Sequence, residues 1–189
     1  MLDTLLLLAA ACIVGLVQGY KWDLGGVTSN ITMTYLVLAV LSCVVHLRAF
    51  SSIRHVQGHE HSVGVSPFAT FFSLNITELG WIAISPAIYL AVYYYMVTPR
   101  APFADYYVIG LLVCWWNSGM AYAVSLSPIP PQAQQVFSAI LTLILGAFLN
   151  GLSPSIRSAR GSVVEAVLGL SYNRWATEAA IVQVSSDQR

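Results

Sequence analysis

The chain has 189 residues, of which 57% are hydrophobic and 8% are charged, and its formal net charge is +0. A soluble domain typically carries about 25% charged residues, so this composition excludes a soluble enzyme and an acidic disordered tail. The lack of net positive charge also excludes a nucleic-acid partner, because phosphate binding needs a basic surface. The class that remains is an all-α integral membrane protein that crosses the plasma membrane or an organelle membrane several times.

Five apolar segments can cross a bilayer as helices, which takes about 20 residues each. In chain order the predicted spans are residues 2–19, 27–47, 73–97, 106–126 and 133–152. The first has the length of a signal peptide, but it lacks a basic N-terminal region and a nearby small-residue cleavage site. Pro86 predicts a kink in the third span that neighbouring helices can accommodate.

Polar residues concentrate in two segments outside the predicted spans. Residues 48–66 form the longest polar loop between two spans, and residues 153–189 form a mixed tail. Within the tail, residues 172–184 predict an amphipathic helix, on which Arg174 and Glu178 stand four positions apart and can pair. The alternative is an ordinary surface ion pair, which contributes under about 1 kcal/mol.

A few polar or small residues inside the spans are candidates for function. Glu78 lies within the third apolar run, and an ionisable residue there indicates function unless it reaches the interface. Thr142, Gly146 and Asn150 stand four positions apart on the fifth predicted span and form one stripe. This stripe predicts either a polar path or close packing of helices by small residues.

The histidines and cysteines give no strong metal or disulfide signal. His55, His59 and His61 lie beside Glu60, but a loop offers these ligands no fixed scaffold, so we predict no metal site. The three cysteines all lie inside apolar runs, which predicts packing residues rather than a disulfide framework.

Six short stretches follow one another along the chain with the spacing of a known family. They read DTLLLLA at 3–9, LRAFS at 47–51, YL at 89–90 with PR at 99–100, DYYV at 105–108, GMAY at 119–122 and YNRWATEA at 172–179. In this order they resemble the transmembrane half of ABC transporters of the G subfamily, the white and breast-cancer-resistance type, above all its plant and algal branch. The resemblance implies a single domain over residues 1–189 with the fold of a type-2 ABC exporter.

The resemblance implies the membrane-spanning part of an ATP-driven exporter for a hydrophobic or amphipathic substrate, such as a lipid or a secondary metabolite. It implies a homodimer, or a heterodimer with another G-subfamily half-transporter. A P-loop needs a lysine, and the one lysine, Lys21, lies outside such a pattern. We therefore expect no enzyme activity and no cofactor here, with ATP and Mg²⁺ on a nucleotide-binding domain. We also expect a truncated or separately encoded membrane domain without the family's sixth span.

The resemblance also implies an orientation and a docking segment. Residues 48–66 correspond to the cytosolic loop that presses on the nucleotide-binding domain, and they carry Arg54, His59, Glu60 and Gly64. His59 replaces an arginine that is common in the family, which weakens a fixed charge contact. The distribution of Lys and Arg would place this loop outside, but the resemblance implies a cytosolic N-terminus and an external tail.

Further site residues follow from the resemblance. Glu78 corresponds to a family acid near the cytosolic end of the third span, with a role in coupling or packing. The family's second and fifth spans line a cavity at the dimer axis, so the candidate substrate path consists of Thr142, Gly146 and Asn150. The external segment before the sixth span would contain Tyr172, Arg174, Trp175 and Glu178.

Two other functions stay open at this point. One is a membrane fragment that does not transport but associates with, or regulates, full-length transporters. The other is a membrane-embedded hydrolase, which needs a nucleophile and a base facing each other inside the bilayer. The G-x-S-x-G pattern is absent and His46 lies near a predicted helix end, so we assign no catalytic residue.

Overall fold

A computed structural model of the chain describes residues 2–18, 26–99, 101–150 and 161–186, and only the backbone of residues 2, 52–62 and 184–186. The described residues form helices and turns and contain no β-strand, which confirms the predicted all-α fold. In chain order the elements are α1 Leu2–Gln18, α2 Val27–Ser62, α3 Pro67–Val97, α4 Phe103–Ser125, α5 Pro131–Leu143, a π turn Ile144–Phe148, α6 Val163–Gly169 and α7 Tyr172–Ser186.

Local chemistry sets both ends of α3. Ser66 is the N-cap, its hydroxyl accepts the N–H of Ala69 at 3.2 Å, and Pro67 occupies the first turn, where no N–H is needed. At the other end Thr98 takes the left-handed conformation with a φ of 45°, and its N–H donates to Tyr94 O at 2.9 Å. A left-handed residue turns the backbone out of the α-helical path, so α3 ends here, although β-branched residues rarely adopt this conformation.

Four helical segments of the described chain are long and apolar enough to cross a membrane. They are Val27–Ser51, Pro67–Val97, Phe103–Ser125 and Pro131–Phe148. The helix at residues 3–18 is apolar but shorter, so the structure gives four candidate spans and one short apolar helix where the sequence predicts five spans. Many large apolar side chains remain exposed on the outer faces, which is typical of helices that bilayer hydrocarbon covers.

The structure corrects several predicted boundaries. The segment 48–66 is not a loop over most of its length, because α2 continues without a break to Ser62. Polar side chains do not by themselves end a helix, and the chain has no proline before Pro67, where α3 begins ahead of the predicted residue 73. At the other end of the bundle the helical fifth span closes at Phe148 rather than at residue 152.

The second helix lies at the centre of the bundle, in contact with α1, α3, α4, α5, the π turn and α7. Tyr35 and Leu38 of α2 are fully buried, in one core with Tyr89 and Leu90 of α3. Gly110 lets α4 approach α3 closely, since a Cβ at this position would lie 2.6 Å from Leu90 Cδ1 of α3. The core therefore depends on small residues as much as on large ones.

The alternating direction of the helices gives the bundle two ends. At one end Arg48 of α2 binds Asp3 of α1, with 3.0 Å between Arg48 Nη1 and Asp3 Oδ1, and we name this the Asp3 end. At the other end the hydroxyl of Tyr93 in α3 donates to Gln18 Oε1 of α1 at 2.7 Å, and we name this the Gln18 end. We name residues 52–62 of α2, which follow the candidate span, its polar extension. This extension lies at the Asp3 end, and α7 packs at the Gln18 end.

Candidate functional site

The segment predicted to dock a nucleotide-binding domain lies mostly on the polar extension of α2. Arg54, His59 and Glu60 belong to this helix, and their side chains are outside the described residues. Gly64 follows in the turn to α3 with a φ of +96°, a conformation that glycine adopts without strain. The neighbouring histidines share the extension, and the described side chains contain no group of His, Cys, Asp or Glu placed to hold a metal.

Glu78, the acid predicted inside the third span, faces a buried histidine of α2. Glu78 Oε2 lies 3.7 Å from His46 Nε2, and the exposed fractions of the two side chains are 16% and 0%. His46 Nδ1 lies 2.7 Å from the carbonyl oxygen of Ser42, and since a carbonyl only accepts, this nitrogen carries the proton. Nε2 therefore faces the carboxylate beyond hydrogen-bond distance, and protonation of the ring would create an ion pair between α2 and α3.

The stripe predicted on the fifth span packs inside the bundle. Thr142 is fully buried, and its hydroxyl donates to Ser138 O at 2.9 Å. Gly146 is buried so close to α2 that a Cβ would lie 2.6 Å from Leu36 Cδ1. Asn150 follows the π turn, whose wider winding takes it off the face that a spacing of four predicts. This arrangement supports helix packing by small residues, and a substrate path along the stripe stays a prediction.

Three consecutive residues at the start of α7 donate hydrogen bonds to carbonyl groups in and beside the π turn. We name residues 171–173 the α7 triplet. The three bonds run from Ser171 Oγ to Leu145 O at 2.5 Å, from Tyr172 OH to Thr142 O at 3.2 Å and from Asn173 Nδ2 to Gly146 O at 2.9 Å. All three donors belong to buried residues, so the bonds are shielded from water.

The α7 helix is also joined to α2 by polar contacts. The Asn173 amide donates to Thr32 O at 3.0 Å, and the hydroxyl oxygens of Thr32 and Thr177 lie 3.2 Å apart. Burial, with a smaller contribution from Cys43, raises the pKa of Tyr172 above its ordinary value, so its phenol stays a neutral donor. The contacts between α7 and the bundle at this point are therefore hydrogen bonds between uncharged groups.

The charged residues predicted in the external segment lie side by side on α7, where Glu178 is exposed and the Arg174 side chain is mostly covered. Arg174 Nε lies 3.5 Å from Glu178 Oε1, as their spacing predicts, and the Arg174 guanidinium carbon lies 5.1 Å from the ring centroid of Trp175. The Trp175 indole is 56% exposed and donates to Gly169 O at 2.9 Å. These contacts order the surface of α7, and each contributes modestly to stability.

An apolar groove of about 760 Å³ opens between α4 and α7. We name it the α4–α7 groove. Leu112 and Trp116 of the spanning helix α4 form one side and are exposed, so the groove opens toward bilayer hydrocarbon. Tyr172 and Trp175 form the other side, and the rings of Trp116 and Tyr172 lie 5.0 Å apart between centroids. Its lining is suited to an apolar or aromatic group.

Sequence reasoning missed His46, Ser171 and Asn173. One usable signal was that His46 and Glu78 lie toward the same end of consecutive spans that run in opposite directions. Asn173 belongs to the stretch at 172–179 that carries the resemblance, but nothing in the sequence indicated its partners, which lie far away along the chain and are backbone carbonyl groups.

Comparison with known proteins identifies the relatives of this chain. A family model described as ABC-2 type transporter matches residues 1–188. ABC transporter G family member 28 of Arabidopsis thaliana is 25% identical over 178 residues, which are 94% of this chain and 15% of that protein. ABC transporter G family member 25 of Oryza sativa subsp. japonica is 27% identical over 180 residues, 95% of this chain and 17% of that protein.

A third relative is the putative white-brown complex homolog protein 30 of Arabidopsis thaliana, 24% identical over 181 residues, which are 96% of this chain and 16% of that protein. The chain thus spans between 15% and 17% of the length of these curated relatives. The matches confirm the resemblance to the membrane domain of G-subfamily transporters, and with the apolar helices they make this an integral, multi-pass membrane protein.

Proposed function

Because the chain belongs to the ABC-2 type transporter family, we propose that it forms the membrane-spanning part of an ATP-driven exporter. The cargo in this proposal is a hydrophobic or amphipathic molecule, such as a lipid or a secondary metabolite. ATP and Mg²⁺ bind a nucleotide-binding domain outside these 189 residues, which contain no P-loop pattern. The working unit is a homodimer or a heterodimer with another G-subfamily half-transporter.

The observation that carries this proposal is the unbroken course of α2. A helix of 36 residues is about 54 Å long, whereas the hydrocarbon core of a bilayer is about 30 Å thick. The candidate span ends at Ser51, so the polar remainder of the helix extends beyond the apolar region at the Asp3 end. A continuous helix moves as a stiff rod, so a push on its extension tilts the span itself.

The contacts of α2 indicate which other helices would move when a force on the polar extension tilts this helix. This helix packs against α1, α3, α4, α5, the π turn and α7. The His46–Glu78 contact links α2 to α3 within the span, on the side nearer the extension. In the proposal, the nucleotide-binding domain docks on the extension in the cytosol, and α2 transfers its motion to α3 and α4.

The surface offered to cargo is the α4–α7 groove. Thr142 and Gly146 are buried against other helices of the same protomer, so a path along them would require those helices to separate. The groove already faces the bilayer through Leu112 and Trp116, and its lining is apolar. An apolar cargo that arrives from the membrane can enter it without crossing a layer of water.

The test is reconstitution of the chain with a G-family nucleotide-binding domain in lipid vesicles. The measurements are ATP-dependent movement of a short-chain fluorescent phospholipid and the ATPase rate. Glu60→Ala removes the acid from the extension of α2, and we expect about a tenfold loss of movement, because one charge-assisted contact at the docking surface is lost. Asp105→Ala is the matched control, since it removes an acid from the Gln18 end.

The outcomes separate the proposal from its alternatives. Equal movement for wild type and Glu60→Ala at matched protein levels would show that this acid takes no part in docking. An equal loss with Asp105→Ala would indicate general instability. If the wild-type chain inserts and binds the nucleotide-binding domain but moves no phospholipid, the exporter proposal for this cargo class is wrong, and a regulatory membrane fragment becomes the better interpretation.

A further inference from the structure

The hydrogen-bond pattern of the π turn at the end of the fifth span differs from that of an α-helix by one residue. Here the N–H of Leu149 donates to Ile144 O, five residues back, at 3.1 Å. In an α-helix the same N–H would donate to Leu145 O, four residues back. Changing one pattern into the other shifts the register by one residue, which rotates the following chain by about 100° around the helix axis. The two patterns are therefore discrete, and a change from one to the other is a switch rather than a gradual deformation.

The Ser171 hydroxyl donates to a carbonyl whose donor in an α-helix would be the N–H of Leu149. Because Leu149 donates to Ile144 O, the carbonyl of Leu145 loses its α-helical donor, and Ser171 Oγ lies 2.5 Å from that carbonyl oxygen. Asn173 donates to the next carbonyl, that of Gly146. The Leu145 carbonyl is partly shielded from water, and there Ser171 stands in for the donor that the α register would supply, so these side chains favour the π register.

Asn173 links this register to the position of α2. Its single amide group donates to Gly146 O at 2.9 Å and to Thr32 O of α2 at 3.0 Å. Both bonds need α2, α7 and the π turn at their present separation. A displacement of α2 at the Gln18 end therefore stretches the bond to Thr32 and weakens the hold of Asn173 on the π turn.

We propose that the α7 triplet is a latch that holds the fifth span in the π register, and that displacement of α2 releases it. The latch itself follows from the contacts of this chain. That its release accompanies cargo movement rests on the proposed exporter function. When the latch is released, the fifth span returns to the α register, and Leu149 and Asn150 turn about its axis.

The latch is tested by amide hydrogen exchange of the full chain in lipid nanodiscs. Asn173→Ala removes two of the side-chain bonds. The segment should then pass more often between the two registers through a state in which its N–H groups are unbonded, so we expect amides of residues 145–149 to exchange about tenfold faster than in wild type. Ser171→Ala removes the donor to Leu145 O and should act in the same direction. Asn117→Ala is the control, because this buried asparagine donates to Val113 O within its own helix.

The exchange of α3 amides shows in each variant whether the bundle is still folded. Wild-type exchange at residues 145–149 in a folded Asn173→Ala variant would overturn the latch. The same acceleration in Asn117→Ala would also overturn it, because the effect would then be unrelated to the α7 triplet.

A cross-link provides a rescue experiment. The hydroxyl oxygens of Thr32 and Thr177 lie 3.2 Å apart, so Thr32→Cys with Thr177→Cys can join α7 to α2 by a disulfide. Combined with Asn173→Ala, the oxidised pair should restore slow exchange at residues 145–149, and reduction should remove this protection. Fast exchange in the oxidised protein would show that Asn173 does not act by holding α7 in place. Each single cysteine variant serves as the control.

The same cross-link separates the latch from the exporter proposal. In the vesicle assay the oxidised pair should arrest phospholipid movement, and full movement in that state would overturn the release step. If wild type moves no phospholipid while the exchange results are as expected, the latch stands and the exporter proposal fails. If exchange is unchanged by Asn173→Ala, the latch fails whatever the vesicles show.

Discussion

The two ends of the helical bundle are held together by different chemistry. At the Asp3 end two contacts between helices involve charged or titratable groups: Arg48 with Asp3 at 3.0 Å, and His46 with Glu78 at 3.7 Å. A neutral hydrogen bond from Gln134 of α5 to Ser125 O of α4 lies at the same end. The first pair is partly exposed, with 45% of the arginine and 34% of the aspartate side chain accessible. Such contacts respond to salt and to approaching charge.

At the Gln18 end the contacts are neutral hydrogen bonds. Gln18 alone joins three helices, since its amide nitrogen donates to Asn30 O at 3.1 Å and to Thr34 Oγ1 at 3.3 Å while its oxygen accepts from Tyr93. Asn173 does the same for α2, α7 and the π turn. Uncharged groups cost less than ions to bury, so these bonds can lie deep in the bundle.

This difference suggests a division of labour along the helices. The end that carries the polar extension of α2 uses contacts that another domain can perturb, whereas the opposite end fixes the separation of helices through short, directional and uncharged bonds. In the proposed exporter, a movement that begins at the Asp3 end would be converted into a change of hydrogen bonds at the Gln18 end. Variants at the two ends should differ in the size of their effect and in its dependence on salt.

The largest effect is expected at Gly146, where three elements meet at the Gln18 end. Any Cβ there would overlap the Tyr172 phenol and approach Leu36, so Gly146→Leu should destabilise the chain by about 3 kcal/mol through overpacking. The measurement is thermal unfolding in detergent, followed by tryptophan fluorescence. Gly119→Ala is the control, since a Cβ at that helical position meets nothing within 4 Å. Equal unfolding temperatures for wild type and Gly146→Leu would contradict the close packing.

An intermediate effect is expected for Gln18→Ala. The variant loses three hydrogen bonds among α1, α2 and α3 and should unfold with about 1–2 kcal/mol less stability. Because the bonds are uncharged, the loss should be the same at low and high ionic strength. Gln132→Ala, at an exposed position, should stay within about 0.5 kcal/mol of wild type. A salt-dependent loss in Gln18→Ala would break the proposed contrast between the two ends.

The smallest effect is expected at the Asp3 end. Asp3→Asn removes a partly exposed ion pair and should cost about 0.5 kcal/mol at low salt, with the loss disappearing near 1 M salt. In an Arg48→Gln background the same substitution should have no effect, because the partner is already absent. A loss that persists at high salt would mean that Asp3 acts through packing rather than through its charge.

Hydropathy and a few short stretches were sufficient to predict the class of this protein. Runs of apolar residues place the helices, because an unpaired backbone in hydrocarbon is so costly that a spanning segment must be helical. The ordered stretches from residue 3 to residue 179 indicated the family that the comparisons later showed. These properties depend on local composition and order, which the sequence contains directly.

The boundaries and the inward faces depended on tertiary structure. Residues 48–62 are polar and were predicted as a loop, but polarity reports the solvent around a segment rather than its backbone conformation, and α2 continues through them. The stripe of Thr142 and Gly146 could have faced a cavity or a neighbouring helix, because small residues serve both purposes. The structure shows both residues packed against α2 and α7, and a substrate path along them stays a prediction.

The contacts that join distant parts of the chain were decided by the fold alone. Asn173 meets Thr32 across a separation in sequence that no local pattern encodes, and the placement of His46 and Glu78 toward one end of two spans did not show that their side chains meet. In a membrane, lipid and neighbouring helices are equally apolar, so hydropathy cannot tell which face of a helix is buried in protein. The sequence by itself therefore determined that the chain is helical, that it lies in a membrane and to which family it belongs. The tertiary structure decided which side chains bond to one another, because that choice depends on distances set by packing.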